Sequence, residues 1–191
     1  MQICWKKYLS LRNLNHTNYF IALLISSFMS FPLKEAVICY LRHGYKTLLI
    51  DYTQSRHPIH QGKFCAPGGK INDGETSEHA TRREVMEETE IVVRNLIYRG
   101  KVLFKNEKRT VGGKPMISNW LVYFYDCQDF DDSNAKGIEG RLDWIDNHNI
   151  LNLPMHEGDK IIWEKWLSQQ KEFNGEIVHE AEVLVSAELV K

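Results

Sequence analysis

The sequence predicts an α/β domain of mixed layers. Three observations carry that expectation: short runs of strand-forming residues recur along the chain, one strongly marked helix interrupts them, and a second amphipathic helix follows near the C-terminal end. Residues 36–42 and 46–51 are apolar and rich in strand formers, with His43-Gly44-Tyr45 between them, so the pair reads as a β-hairpin. Residues 52–67 are polar and carry Pro58, Gly62 and Pro67, the composition of a loop leading into Gly68-Gly69. Thr76 or Ser77 caps a helix that runs to Thr89, and Glu78 in its first turn suits the positive end of the helix dipole.

Residues 91–104 and 117–127 return to strand character, and Val111-Gly-Gly-Lys-Pro115 between them supplies turn chemistry. A second helix is expected over residues 157–168, where Ile162 and Trp166, and Trp163 and Leu167, fall four apart on one apolar side. Residues 176–179 and 183–186 add strands at the tail. No internal repeat, linker or low-complexity block divides the chain, so we expect one domain over residues 31–191.

With 191 residues, 43% hydrophobic and 26% charged, the chain has the composition of a globular protein that buries one core. Lys+Arg 24 against Asp+Glu 25 leaves a net charge of -1, which lacks the basic excess of a protein gripping long nucleic acid through many phosphates. Cys4, Cys39, Cys65 and Cys127 form no C-x-x-C pair and no zinc-like spacing with the histidines, and read as reduced thiols of a cytoplasmic protein. Residues 1–30 read as an N-terminal extension. Residues 19–31 are apolar apart from serines and follow Lys6, Lys7 and Arg12, as in a weak signal sequence. Such a segment is too short to cross a ~30 Å bilayer as a helix rising ~1.5 Å per residue, so no stable membrane partner is expected. Met29 offers a second translation start, and a packed or membrane-touching segment remains open beside it.

The chemistry concentrates after the glycines. On a helix, Glu84, Glu87 and Glu88 occupy i, i+3 and i+4, so their carboxylates leave one face together. Like charges at that spacing cost an isolated helix ~0.2–0.5 kcal/mol per pair, relieved when a hard divalent cation sits among the oxygens. A solvated charged face is the ordinary reading of such a run; the surrounding spacing argues otherwise. Arg83 is placed to pair with Glu75 and hold the helix against the preceding loop.

Gly69, Glu75 and the run Arg83-Glu84-Val85-Met86-Glu87-Glu88-Thr89, followed by Ile91, stand at the spacing G-x5-E-x7-R-E-U-x-E-E-x-G-U, with U a bulky apolar residue. In this the chain resembles the Nudix hydrolase family, and departs from its pattern only at Glu90, where the family has glycine. A side chain at a left-handed helix exit costs ~1 kcal/mol, so Glu90 predicts a strained or reshaped exit. The resemblance implies an α/β/α sandwich around a mixed sheet with a loop-helix-loop motif. It also implies Mg²⁺, with Mn²⁺ as a substitute, held by Glu84, Glu87, Glu88 and the Gly69 carbonyl, with Arg83 counted in the catalytic set. The water that attacks phosphorus would give its proton to Glu87 or Glu84, or to Asp126 or Glu139 outside the motif.

Residues 153–159 resemble the C-terminal region of the MutT-type 8-oxo-dGTP diphosphatases, where an aromatic and an acidic side chain meet the purine. Asp159 matches the acidic position and serves equally as a first-turn acid of the second helix; His156 stands at the aromatic position. Phe64 either stacks on the base or fills core. Arg56, Lys63 and Lys70 flank the motif and are placed to meet phosphate oxygens, Lys70 above all because it follows the glycines directly, although a lone loop cation is ordinarily solvated. His57, His60 and His79 read as surface residues, and Cys65 lies beside the glycines without a cue to reactivity. The implied substrate is a small nucleotide, a dGTP or 8-oxo-dGTP type triphosphate cleaved to monophosphate and pyrophosphate. The rival substrates are ADP-ribose, a nucleotide sugar or a dinucleoside polyphosphate. A nucleotide-binding module without catalysis is the reading from outside the enzymes, and oligomeric state is left open.

Overall fold

The computed structural model describes residues 33–55, 60–111, 114–165, 167–180 and 183–190. The extension, Arg56, His57 and Trp166 therefore lie outside the described residues. β1 (Lys34–His43) and β2 (Lys46–Asp51) form the expected hairpin, with Arg42 opposite Thr47 and His43 opposite Lys46. Two short strands interrupt the loop that follows, β3 (Phe64–Cys65) against β2 and β4 (Gly68–Lys70) against β1. α1 (Ser77–Thr89) runs between β4 and the long hairpin of β5 (Val92–Val111) and β6 (Lys114–Asp131). β7 (Arg141–Asp146) returns to β2, and α2 (Glu157–Lys165) precedes β8 (Phe173–Glu180) and β9 (Val183–Val190).

The sheet is mixed. β1 runs parallel to β6, with Lys34 opposite Trp120 and Leu41 opposite Cys127, and β5 runs parallel to β8; the other ladders are antiparallel. Strand alternation sends successive side chains to opposite faces, and the core divides accordingly. Tyr40, Leu49, Val122 and Phe124 pack with Ile162 and Trp163 of α2, while Cys39, Leu41, Leu48, Tyr125 and Cys127 pack with Val85 of α1. One helix covers each face, which is the sandwich implied by the resemblance. Trp163 is 1% exposed and tilts against Tyr40 at 5.5 Å, so the apolar side read for the second helix is the side it buries.

Most strands run a few residues past their expected bounds, β6 to Asp131 and the tail strands over Phe173–Glu180 and Val183–Val190, and two shifts have a clear cause. The β5–β6 hairpin extends beyond residue 104 because ladder hydrogen bonds to β6 on one side and β8 on the other carry the polar run Lys105-Asn-Glu-Lys-Arg-Thr110, whose side-chain pattern alone does not mark a strand. α2 closes at Lys165 rather than at residue 168; residues Leu167–Gln169 make a 3₁₀ turn, and Arg42 donates into it at the Leu167 carbonyl, 2.7 Å away. Asp126 belongs to this structural region and not to a reaction site. Its fully buried carboxylate lies between the guanidiniums of Arg42 at 2.9 Å and Arg99 at 3.1 Å. No helix among the described residues is long and apolar enough to cross a membrane.

Candidate active site

α1 begins where Thr76, in extended conformation, accepts a hydrogen bond from the His79 N–H through its hydroxyl. Its buried residues, Ala80, Thr81, Val85, Glu88 and Thr89, include one carboxylate. Glu88 is there because it follows Val85 by three and shares that inward face. The helix leaves at Glu90 with φ 56 and ψ 19, so the left-handed exit survives without glycine. The Glu90 N–H bonds the Met86 carbonyl, while the N–H groups of Lys136 and Ile138 cap the carbonyls of Thr89 and Glu88. That capping loop delivers Glu139, whose carboxylate accepts a hydrogen bond from the buried Tyr52 hydroxyl at 3.2 Å.

β4 is approached closely on both sides, by β1 at Gly68 and by the helix at Gly69. A Cβ on Gly68 would collide with the Val37 carbonyl, and one on Gly69 would lie 2.5 Å from the Glu84 carboxylate. The Gly68 N–H donates to Glu88 Oε2 at 2.9 Å. Arg83 ties the rest together. It donates to Glu75 at 2.9 and 2.8 Å, to Glu84 at 2.7 Å, to Glu87 at 3.0 Å and to the Lys70 carbonyl at 2.9 Å. The Arg83–Glu75 pair expected from the sequence thus anchors helix to loop, and these bonds hold the Glu75 carboxyl down to about 2.

Burial pushes the Glu88 carboxyl up to about 8, and the nearby charges of Glu139, Glu84 and Glu87 push the same way against the Gly68 hydrogen bond. Burial raises Glu84 as well, against its hydrogen bond from Arg83. Glu87 is the open member of the set, with its side chain 59% exposed. Oxygen donors crowded around a glycine backbone, with two carboxyls that resist ionisation when alone, suit a hard divalent cation that offsets the charge they would otherwise accumulate. Glu139 also lines a cleft of about 590 Å³ with Asp51, Thr53, Gln54, Ser55, Gly140 and Arg141. Tyr52 carries no motif signal, because it enters only through the fold.

The remaining sequence candidates separate. Lys70 is exposed beside Gly69. Phe64 is only 9% exposed and packs in the core with Tyr40 and Met155, the filling role of the two weighed for it. Asp159 is half-buried at the start of α2, and burial raises its carboxyl to about 6. His60 requires a correction. Rather than standing alone at the surface, its Nδ1 lies 3.1 Å from His156 Nε2 and 3.3 Å from Cys65 Sγ. Burial lowers His156 to about 4, with Lys63 adding to the effect. Sequence reading missed this cluster because its members share no helix or strand.

A mixed sheet clasped between two helices, with a carboxylate-bearing helix laid on a glycine strand, is the architecture that the Nudix resemblance implies. The sequence pattern of the NUDIX domain matches residues 32–167, and the chain belongs to the Nudix hydrolase family. It is 28% identical over 151 residues to the uncharacterized Nudix hydrolase YvcI of Bacillus subtilis strain 168, covering 78% of this chain and 89% of that protein. It is 30% identical over 116 residues to the oxidized purine nucleoside triphosphate hydrolase of Danio rerio, covering 60% of this chain and 68% of the relative. The crystal structure of a mutator MutT protein from Bacillus halodurans superposes with a TM-score of 0.66 at 28% identity, covering 82% of this chain and 97% of that one.

Proposed function

We propose that this Nudix hydrolase cleaves purine nucleoside triphosphates of the dGTP or 8-oxo-dGTP type, with Mg²⁺, to the monophosphate and pyrophosphate. The observation that carries the reading is the convergence of Glu84 and Glu88 on Gly68-Gly69, with Arg83 holding Glu84 and Glu87 on the same helix. The substrate class is supported by the zebrafish relative, which hydrolyses oxidized purine nucleoside triphosphates, and by the likeness to the MutT protein of Bacillus halodurans.

In this reading Glu84, Glu87, Glu88 and the Gly69 carbonyl hold the cation. Bound Mg²⁺ supplies charge neutralisation for the triphosphate and a more acidic water. Arg83 fixes Glu75, Glu84 and Glu87 in one geometry, a positioning role, while the Gly68 N–H holds Glu88. Glu139, held by Tyr52 and lining the cleft, accepts the proton of the water that attacks phosphorus, and the P–O–P bond breaks as the new P–O bond forms. Lys70 meets phosphate oxygens from the edge of β4, and Arg56, outside the described residues, is proposed to do so as well. Asp159, through its carboxylate oxygens, accepts hydrogen bonds from the purine edge, and Phe64 supports that pocket from the core.

The test is product analysis with purified full chain and Mg²⁺ across dNTPs, 8-oxo-dGTP, ADP-ribose, nucleotide sugars and dinucleoside polyphosphates, with Glu87→Gln as the control. Pyrophosphate and monophosphate from a purine dNTP, absent in the control, is the expected outcome. Turnover confined to ADP-ribose, nucleotide sugars or dinucleotides would replace the substrate class. Silence throughout, with ligand-induced thermal shifts retained, would make the chain a binding module.

A further inference from the structure

A second group of metal-ligating side chains stands outside the carboxylate cluster. His60 Nδ1, Cys65 Sγ and His156 Nε2 lie within 4.8 Å of one another, and the shorter separations are 3.1 Å between the nitrogens and 3.3 Å from sulfur to His60. Tetrahedral Zn²⁺, with Zn–N of ~2.0–2.1 Å and Zn–S of ~2.3 Å, sets edges of ~3.3 Å between nitrogens and ~3.6 Å between nitrogen and sulfur. These two edges match a tetrahedron to within a few tenths of an ångström, and the third, from Cys65 Sγ to His156 Nε2, lies within 4.8 Å. We propose that His60, Cys65 and His156 form a second metal site that takes Zn²⁺, with water completing the fourth position.

The frame behind these ligands is already fixed. The Phe64 N–H donates to the Pro154 carbonyl at 2.8 Å, which ties the strand carrying Cys65 to the segment carrying His156. The Tyr52 N–H donates to the Lys63 carbonyl, and the N–H groups of Gly62 and Lys63 bond the carbonyls of Tyr52 and His60, which holds the turn carrying His60. The ring of His60 also packs against Tyr52 at 5.4 Å and against His156 at 5.3 Å. Main-chain bonds thus bring the three donors together before any ion binds, so little ordering is left for the metal to impose.

The donors are one thiol and two imidazoles. That set favours a borderline-soft ion such as Zn²⁺ over Mg²⁺, which prefers oxygen. Binding releases one proton, from the Cys65 thiol. The proton shared between the imidazoles moves to the ring nitrogen not facing the ion, so both facing nitrogens present lone pairs. The ion would join residues far apart in sequence, His60 and His156 being separated by 96 positions, and so stabilise the folded chain. A hydrogen-bonded chain of the same residues would release no proton and give no stabilisation that depends on added metal.

The test does not depend on the hydrolytic reading, because it reads the metal. The reduced full chain, stripped with chelator, is titrated with Co²⁺ as a spectroscopic stand-in for Zn²⁺ in the presence of excess Mg²⁺. We expect one ion per chain, a thiolate-to-cobalt charge-transfer band with tetrahedral d–d absorption, release of one proton, and displacement by Zn²⁺. Cys65→Ser should abolish the band and weaken Zn²⁺ binding at least ~100-fold, His60→Gln and His156→Gln should weaken it at least ~10-fold, and Glu87→Gln should leave it intact. Absence of a thiolate band, its survival in Cys65→Ser, or its loss in Glu87→Gln would each overturn the site. Should Cys65→Ser fail to fold, unchanged Zn²⁺ affinity in both histidine variants would overturn it equally.

Discussion

The carboxylates of α1 and the His60–Cys65–His156 group are both crowded donor clusters, yet the chain assembles them in opposite ways. The first needs only a helix: three glutamates spaced by three and four positions share a face as soon as the turn forms, and β4 then closes on them. The second draws on a turn, a strand and the segment before α2, and exists only when the sheet has brought them together. Their chemistry diverges with their origin. The helix supplies oxygens whose charge burial resists, and the tertiary group supplies nitrogen and sulfur. Local periodicity is a strong source of repeated like donors, while mixed donors require chain segments to meet.

Substitutions separate the two regions. The largest expected effect is Glu87→Gln, which keeps the fold and lowers turnover at least ~100-fold, since charge stabilisation at a metal contributes several kcal/mol. A near-normal kcat would remove α1 as the reaction site and collapse the contrast. Next comes Arg83→Ala, which leaves Glu75, Glu84 and Glu87 without their common donor. Steady-state kinetics should show kcat/KM reduced ~10-fold or more and a higher Mg²⁺ requirement. Arg83→Lys should recover little, because an ammonium cannot reproduce the planar fork; full recovery by lysine would reduce Arg83 to a bare charge.

A smaller effect concerns Asp159. Burial raises its carboxyl in the folded chain from 3.8 to about 6. The folded state therefore binds this proton more tightly than the unfolded state. The resulting stability is complete below about pH 4 and is lost as pH rises through about 6. Asp159→Asn cannot titrate, so its melting temperature should gain on the parent by several degrees between pH 4 and pH 7 and hold that difference above. A difference independent of pH would mean that Asp159 is solvated. The smallest effect is at the helix exit. Glu90 carries a left-handed strain of ~1 kcal/mol that Glu90→Gly relieves, partly offset by the larger chain entropy of glycine in the unfolded state. Calorimetry should show a rise of ~1–2 °C; no rise would show that the contacts of Lys136 and Ile138 depend on the glutamate.

The reach of sequence reading follows from the range of the interactions involved. The hairpin at His43-Gly44-Tyr45, the Thr76 cap, the Arg83–Glu75 anchor and the unusual exit at Glu90 are all legible, because each depends on residues within about one helical turn or one motif length. The extension of β5 through Lys105-Asn-Glu-Lys-Arg-Thr110 is not, because ladder bonds to two neighbours outweigh its weak side-chain pattern. Asp126 illustrates the same limit. From sequence it is one more acidic residue near a strand end, but the fold encloses it between Arg42 and Arg99 and makes it structural.

By itself the amino-acid sequence determined the α/β class, the helix that carries the three carboxylates, and the glycines on which they rest. Each follows from short-range periodicity and sterics. Tertiary structure alone decided that Glu88 is buried while Glu87 stays open, that Tyr52 steadies Glu139, that Phe64 fills core, and that His60 meets Cys65 and His156. Those outcomes depend on which surfaces the sheet brings into contact, and the free energy of burying a side chain is set by neighbours that are distant along the chain.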